Sequence, residues 1–189
     1  MRITGGRYVG RTITCPPGVI RPAMDRMRES LFALLGSLTD KSFLDLFSGS
    51  GLIALEAASR GAARVEAVEK DQGKRSIILK NFAIADERID LHLVPVERYL
   101  MRAKPEWDFI FVDPPFAYRY KEQLLIWIAT RGLLGSSGLL LMHHPAPEQL
   151  PEKVDPESVS VASARALVRV DRRTYGGSAV DFYRPSADD

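Results

Sequence analysis

Apolar and polar positions alternate in two distinct rhythms from residue 43 onward. Short apolar runs predict strands, and the segments between them, with apolar residues three and four apart, predict helices. Strands that alternate with helices are typical of βαβ units, whose right-handed crossovers give a doubly wound parallel sheet with helices on both faces. The predicted strands are residues 43–47, 64–69, 89–94, 108–113 and 138–144, and the predicted helices are residues 51–62, 71–85, 96–103 and 120–133.

Both ends of the chain depart from this alternation. Residues 1–16 alternate loosely around Gly5-Gly6, which predicts a short hairpin, and residues 23–38 have helical spacing. Together they predict an N-terminal extension over residues 1–40, followed by a main domain over residues 41–185.

The C-terminal part predicts a loop over residues 145–157 and then two strands, residues 165–176 and 178–185, joined at Gly176-Gly177. Consecutive strands without an intervening helix favour an antiparallel edge. We therefore predict an α/β fold with a seven-stranded, mostly parallel sheet and an antiparallel C-terminal strand.

Composition narrows the setting of the protein. The 189 residues include a single cysteine, Cys15, so no disulfide forms within the chain, which is typical of a reducing compartment. No apolar run approaches the roughly 20 residues that cross a bilayer, and the first residues do not resemble a signal peptide. We expect a cytoplasmic protein without membrane contact.

Charge is unevenly distributed although the net charge is only +2. Residues 1–28 contain six arginines and one acid, Asp25. Arginine presents a planar fork to phosphate and stacks on bases. An arginine-rich end on a nearly neutral body predicts a polyanionic partner such as nucleic acid.

A glycine-rich turn follows the first predicted strand in "LDLFSGSGLIALEA". Gly49, Gly51 and Ala54 match the pattern G-x-G-x-x-A, and Glu69 ends the next strand 20 residues after Gly49. Such a turn brings backbone N–H groups close to a ligand, and the acid can accept ribose hydroxyls. A dinucleotide and S-adenosylmethionine both fit this arrangement. Asp45 favours the second ligand, because a carboxylate suits an ammonium and a sulfonium better than a pyrophosphate.

A second motif, "FIFVDPPF", ends the fourth predicted strand. Two prolines stiffen the turn after Asp113, and Phe116 offers a face for stacking. The carboxylate of Asp113 and the carbonyl of Pro114 supply two acceptors for the two protons of a planar amino group. Holding both N–H bonds would aim the nitrogen at a methyl donor, and the carboxylate would stabilise developing positive charge. A base in a stacked structure must first be flipped into such a pocket.

These motifs resemble the class I S-adenosylmethionine-dependent methyltransferases that act on amino groups, which share [D/N]-P-P-[F/Y/W]. Together with "RITGGRYVGRTI" and "RPAMDRMRESLFALL", they resemble more closely the bacterial 16S rRNA guanine-N2 methyltransferase family. The resemblance covers nearly the whole chain and weakens after about residue 142. It implies a Rossmann-like methyltransferase domain over residues 41–185, an RNA-contacting extension over residues 1–40, and a guanine in a 16S rRNA hairpin loop of the small ribosomal subunit as substrate.

The resemblance also implies roles for particular residues, with no metal ion and no obligate protein partner. The residues assigned to the catalytic loop are Asp113, Pro114, Pro115 and Phe116. The residues assigned to the cofactor are Asp45, Phe47, Ser48, Gly49, Gly51, Glu69, Lys70, Val96, Glu97 and Asp113. The residues assigned to RNA are Arg7, Arg11, Arg21, Arg26 and Arg28.

Two positions depart from the family pattern. Pro95-Val96 stands where relatives often carry Asp or Asn before Ala, so the adenine amino contact is expected to fall to the backbone or to Glu97. His143-His144 stands where relatives tend to have an acid. Two adjacent histidines without further ligands favour polar loop residues over a metal site.

Two other functions are compatible with the motifs. The DPPF motif also occurs in enzymes that methylate adenine N6 in DNA, and an arginine-rich protein with a vestigial pocket could serve as a non-catalytic RNA-binding assembly factor. Methyl transfer to DNA or to small ribosomal subunits distinguishes the first, and the absence of S-adenosylmethionine binding distinguishes the second.

Overall fold

The computed structural model describes residues 1–15, 22–103, 105–157 and 163–186. Over these residues the chain forms five α-helices, one short 3-10 helix (Gln72–Lys74) and eight β-strands. The helices are α1 (Pro22–Leu35), α2 (Leu52–Ser59), α3 (Arg75–Phe82), α4 (Val96–Leu100) and α5 (Lys121–Thr130). The strands are β1 (Ser42–Leu46), β2 (Arg64–Val68), β3 (Ile89–His92), β4 (Trp107–Val112), β5 (Leu134–Pro145), β6 (Lys153–Val154), β7 (Leu167–Tyr175) and β8 (Ser178–Pro185).

Internal contacts divide the chain into two units, Met1–Val96 and Glu97–Asp189. The first unit contains three parallel strands in the order β3-β2-β1. Four of the five residues of β1 are buried, as expected for a parallel strand covered on both faces. These two units meet in the sequence at residue 96. The boundary predicted at residue 40 separates an RNA-contacting extension from the main domain, and it stays a prediction.

The N-terminal residues form a minimal hairpin, in which Arg2 and Thr12 make an antiparallel bridge and Ile3 N–H donates to the Arg11 carbonyl at 3.0 Å. The connection between the two paired segments also bonds to α2, where Arg7 N–H donates to the Ser59 carbonyl at 2.7 Å. Gly6 has a φ of 77°, and a Cβ atom there would lie 1.8 Å from the same carbonyl oxygen. The glycines that suggested a hairpin turn therefore allow this segment to lie directly against a helix.

Helix boundaries follow the capping residues of the sequence. Helix α1 ends at Leu35, three residues before the predicted end, because Gly36 adopts a φ of 69°. Asp71 opens the 3-10 helix by accepting a hydrogen bond from Gly73 N–H at 2.9 Å. Gly61, with a φ of 93°, follows α2 in the left-handed conformation as predicted.

The second unit contains the strands in the order β4-β5-β8-β7-β6. Strand β5 runs parallel to β4 and antiparallel to β8, and the remaining pairs are antiparallel. The predicted mixed α/β architecture is confirmed, and the described residues contain eight strands where seven were predicted. The added strand, β6, lies inside the predicted loop 145–157, where Val154 is buried opposite Leu167.

No helix in the described parts of the chain is long and apolar enough to cross a membrane.

Candidate cofactor loop and amine-binding loop

The glycine loop, residues 47–51, leaves β1 through three left-handed backbone positions. Gly49 and Gly51 have φ values of 60° and 79°, and Phe47 adopts 66° although it carries a side chain. A Cβ atom on Gly51 would lie 2.5 Å from Cε1 of Phe82 in α3. A non-glycine residue in the left-handed backbone conformation, such as Phe47, is strained by about 1–3 kcal/mol and keeps that conformation only where the surrounding structure enforces it. The shape of this loop is therefore strongly determined by its sequence.

Asp45 fixes the start of α2 from beneath the glycine loop. The helix begins after Gly51, which has no side chain to cap it. The buried carboxylate of Asp45 substitutes for a cap, since its Oδ2 accepts hydrogen bonds from Ala54 N–H at 3.2 Å and from Ser48 Oγ at 2.7 Å. Asp45 and Ser48, both predicted cofactor residues, thus hold the loop in shape.

Glu69 joins the glycine loop to the end of β2. Its buried carboxylate accepts hydrogen bonds from Gly49 N–H and Asp71 N–H, both at 2.9 Å, and Oε2 lies 3.2 Å from Nζ of Lys74. A carboxylate accepts about four hydrogen bonds. Three of these acceptor positions are used here. Because Oε1 accepts only one of the hydrogen bonds named above, it can still accept one from a ribose hydroxyl. The other predicted cofactor residues next to the strand ends differ in exposure, since Lys70 is exposed and Val96 is buried.

Asn81 is a supporting residue that sequence reasoning missed. Its buried amide donates to the carbonyl oxygens of Ser50 and Thr14, each at 2.8 Å, and accepts from Thr14 N–H. One side chain therefore ties the glycine loop to the N-terminal segment. An amide beside Ile78 and Phe82 on the apolar face of α3 was the available signal.

The DPPF loop, residues 113–116, follows β4 in the second unit. Pro114 is buried and Pro115 is exposed, while Phe116 is 36% exposed. Tyr118 N–H donates to the Pro115 carbonyl at 2.7 Å and closes a tight turn after the second proline. The loop therefore presents an aromatic side chain beside the partly exposed carboxylate of Asp113.

Two buried side chains hold this loop from behind. Nδ1 of His143 lies 2.7 Å from Oδ1 of Asp113, and the two rings of His143 and Phe116 meet edge to face with centroids 5.5 Å apart. Lys121, at the start of α5, donates from Nζ to the carbonyls of Phe116 and Tyr118 at 3.2 and 2.7 Å and pairs with Glu148. Both residues were absent from the predicted site.

The prediction that His143 and His144 are polar loop residues is wrong. Both lie within β5 and are buried, and they have different partners because neighbouring residues of a strand face opposite sides. His143 contacts Asp113, whereas Nε2 of His144 lies 3.3 Å from the buried Asp181. No cluster of three metal-ligating side chains occurs among the described residues.

Glu97, predicted to contact adenine, accepts a hydrogen bond from the Tyr118 hydroxyl at 2.6 Å. Burial and the adjacent Glu97 carboxylate raise the pKa of Tyr118 well above its usual value, so the hydroxyl remains a donor. This contact connects α4 to the residues that follow the DPPF loop.

The predicted RNA-binding arginines have different surroundings. Arg7 is 62% exposed and pairs with Asp86 and Glu87 at 2.7 and 3.1 Å. Arg11 and Arg26 are exposed, and Arg21 lies outside the described residues.

Arg28 is buried, unlike the other described arginines of this group. It pairs with Asp25 at 3.0 Å, with the buried Glu56 at 3.5 Å, and donates to the Arg2 carbonyl. These contacts make Arg28 part of an ion-pair network between α1 and α2, and its contact with RNA stays a prediction.

Comparison with known proteins gives consistent matches along the chain. Residues 1–184 match the profile of the family described as "Conserved hypothetical protein 95". The Escherichia coli protein named "Ribosomal RNA small subunit methyltransferase D" is 33% identical over 156 residues, which cover 80% of this chain and 78% of that protein. The Bacillus subtilis protein named "Putative rRNA methyltransferase YlbH" is 30% identical over 97% of this chain and 98% of its own length.

A solved structure confirms the fold. The Escherichia coli protein described as "Putative methyltransferase yhhF" superposes with a TM-score of 0.84 at 27% identity, covering 100% of this chain and 99% of that chain. The predicted Rossmann-like methyltransferase architecture is thereby confirmed.

Proposed function

The chain belongs to the family described as "Conserved hypothetical protein 95", whose members include ribosomal RNA small subunit methyltransferase D, and on that premise we propose that it methylates the N2 amine of a guanine in 16S rRNA. The observation that carries the proposal is Asp113 at the end of β4, held by His143 beside the exposed Phe116. This loop offers a carboxylate and a stacking face to a flat base that carries an amino group.

The methyl donor we propose is S-adenosylmethionine, bound by the glycine loop. The residues present suit this ligand, because Oε1 of Glu69 retains acceptor capacity for a ribose hydroxyl and the glycines allow close backbone approach. The residues proposed to line the site are Asp45, Phe47, Ser48, Gly49, Gly51, Glu69, Lys70, Val96, Glu97 and Asp113. When bound, the donor supplies a methyl group from its sulfonium and leaves as the neutral thioether.

The acceptor amine requires help because its lone pair is conjugated with the guanine ring. Asp113 and the carbonyl of Pro114 accept its two N–H bonds and turn the nitrogen toward the methyl group, while Phe116 stacks on the base. As the N–C bond forms, positive charge grows on the nitrogen, and Asp113 stabilises it and takes the released proton. The amine thus exchanges one N–H bond for one N–CH3 bond.

The proposed substrate is 16S rRNA within the small ribosomal subunit, which places the reaction in the cytoplasm. The related proteins from Escherichia coli and Bacillus subtilis are both named as acting on rRNA. We propose that residues 1–40 contact the RNA, that residues 41–185 carry the chemistry, and that the target base is flipped out of its stack.

Labelled methyl transfer tests the proposed function. Small subunits from cells that lack the modification should accept label from S-adenosylmethionine, and mapping should place it on one guanine as N2-methylguanine. Duplex and single-stranded DNA serve as matched acceptors and should remain unlabelled. Label in DNA as N6-methyladenine, with none in small subunits, would establish the DNA-modifying alternative instead.

A further inference from the structure

The contact between His143 and Asp113 links β5 to the first residue after the neighbouring parallel strand β4. Val112 of β4 lies in register with Met142 of β5, so the next residues of each strand, Asp113 and His143, meet at the same edge. Nδ1 of His143 lies 2.7 Å from Oδ1 of Asp113. The histidine side chain is buried, whereas the Asp113 side chain is 26% exposed.

The direction of this hydrogen bond follows from the chemistry of the pair. An ionised carboxylate has only acceptor positions, so Nδ1 of His143 must carry the proton and donate it. The bond therefore occupies Oδ1 of Asp113 from the protein side. The second oxygen, Oδ2, is the one left to meet an incoming amine.

The other ring nitrogen of His143 also bears on the role of this residue. Nε2 is buried and has no hydrogen-bond partner among the described residues. A buried polar atom without a partner destabilises the folded state, and an apolar residue at this position would avoid that penalty. The His143 side chain is thus poorly suited to a purely structural role and well suited to its contact with Asp113.

We propose that His143 is a positioning residue that orients the Asp113 carboxylate toward the acceptor amine. The inference rests on the proposed methyl transfer and adds a residue that acts through Asp113 without touching the substrate. It assigns a function to one of the two positions at which the sequence departs from the pattern of its relatives.

Three substitutions at this position test the proposal. His143→Leu introduces an apolar side chain of similar volume and removes the Nδ1 donor. His143→Asn places an amide N–H the same number of bonds from Cβ as Nδ1, whereas His143→Gln places it one bond further away. His144→Asn is the matched control, because His144 lies next in β5 and contacts Asp181 and not Asp113.

Loss of the His143 contact should lower the catalytic rate but not substrate affinity or protein stability. His143→Leu should lower kcat by about 10- to 100-fold, the size expected for misplacement of a catalytic group, with KM for RNA and Kd for S-adenosylmethionine within about threefold. Its melting temperature should equal or exceed that of the wild type. His143→Asn should recover most of the rate and His143→Gln should not, while His144→Asn should melt earlier but keep the wild-type kcat.

Different results would overturn the positioning role of His143 and the proposed methylation of rRNA. An unchanged kcat in His143→Leu would overturn the positioning role. A lower melting temperature that accounts for the lost rate in all three variants would also overturn it. In either case, transfer to rRNA by the wild-type protein would leave the proposed function intact. Failure of the wild-type protein to methylate rRNA would overturn the proposed function and this inference with it.

Discussion

Glu69 and Asp113 are carboxylates with contrasting surroundings, which suit different tasks at the residue scale. Glu69 is buried and already accepts three hydrogen bonds, so it is a fixed acceptor that holds the glycine loop. Asp113 is partly exposed and receives one bond from His143. The first environment suits recognition of a ribose, and the second suits a group that meets a substrate and gains a proton.

This contrast predicts separable effects of two substitutions. Asp113→Ala should lower kcat by at least about 1,000-fold, because one change removes both amine positioning and charge stabilisation. Its Kd for S-adenosylmethionine, measured by calorimetry, should stay within a few-fold of the wild-type value. Glu69→Gln is the matched variant and should raise that Kd by about 10- to 100-fold, since a hydrogen bond to a charged group contributes about 1.5–3 kcal/mol. Loss of cofactor binding in Asp113→Ala would contradict the assignment of separate tasks to the two loops.

Motifs identified the candidate site residues, whereas the side chains that hold them in place depend on strand register and helix packing. The glycine pattern and the DPPF motif located Glu69 and Asp113 because both follow apolar runs. His143 could not be assigned, since its contact with Asp113 arises from the pairing of Val112 with Met142 across two strands. Lys121 was likewise hidden, because lysine at the start of a helix is ordinarily exposed.

At the scale of elements, the segment from the DPPF loop to α5 is stabilised by one buried ammonium group. Lys121 donates to two backbone carbonyls of the turn, those of Phe116 and Tyr118, and pairs with Glu148. A lysine head group satisfies three acceptors in this way and fixes the path of the chain between strand and helix. The position of Phe116 relative to a bound base depends on this path.

Lys121→Met should therefore impair both stability and substrate use. The substitution keeps the length and the apolar stem of the side chain but removes the donor to the carbonyls of Phe116 and Tyr118, and we expect the free energy of unfolding to fall by about 1–3 kcal/mol. In steady-state assays KM for RNA should rise as Phe116 loses its fixed position. The exposed Lys153, which pairs with Asp155 at the surface, provides the control substitution Lys153→Met. Equal effects of the two substitutions on KM would contradict a specific role for Lys121.

A second buried charge joins β5, β7 and β8. Asp181 lies within about hydrogen-bonding distance of His144 and Arg169, at 3.3 and 3.2 Å, and within 3.6 Å of Arg172. Burial acts to raise the pKa of Asp181, but the contact with His144 and the two guanidinium charges lower it below the ordinary value. A carboxyl group with a lowered folded-state pKa stabilises the protein above the unfolded-state pKa, and this contribution is lost as the pH falls through the folded-state pKa.

Asp181→Asn should accordingly destabilise the protein in a pH-dependent manner. At pH 7 the free energy of unfolding, from urea titration, should fall by about 3 kcal/mol, because one partner of a buried ion cluster is removed. The difference between variant and wild type should shrink as the pH falls below about 4, where this carboxyl group begins to bind protons in the unfolded state while it is still ionised in the folded state. Asp171→Asn removes a half-exposed carboxylate from the same hairpin and should change stability by at most about 0.5 kcal/mol. A pH-independent difference would show that Asp181 acts through packing and not through its charge.

Element prediction succeeded where the sequence has a clear period or a capping residue. The order of strands and helices from residue 43 to residue 144 follows from the alternation of apolar patterns, and Gly61 and Asp71 marked boundaries that the structure retains. Strand β6 was missed because two residues are too few to show a period. The N-terminal hairpin was predicted, but the close approach of Gly6 to α2 was not, because a local pattern does not reveal a contact with a distant helix.

At the scale of the whole molecule, the uneven distribution of charge is the main reason to propose that the N-terminal residues bind RNA. The arginines of residues 1–28 differ in availability, since Arg28 is buried against Glu56 while Arg7 and Arg11 are exposed. Arg7 is paired with Asp86 and Glu87, so a phosphate must compete with these carboxylates. Arg11 lies over the Tyr8 ring, 5.5 Å from its centroid, and donates to the Ile84 carbonyl.

The double substitution Arg7→Ala and Arg11→Ala should weaken RNA binding most strongly at low salt. Each phosphate contact contributes about 0.7–0.9 to the slope of log K against log salt concentration, so losing two contacts should reduce the slope by about 1.5. Competition from Asp86 and Glu87 should make the contribution of Arg7 the smaller one, which the single substitutions will resolve. The charge-matched control is Arg88→Ala with Lys153→Ala, two exposed cations that also pair with neighbouring acids. A change of slope equal in both double variants would assign the effect to net charge, and an unchanged slope in the first would remove the N-terminal arginines from the RNA interface.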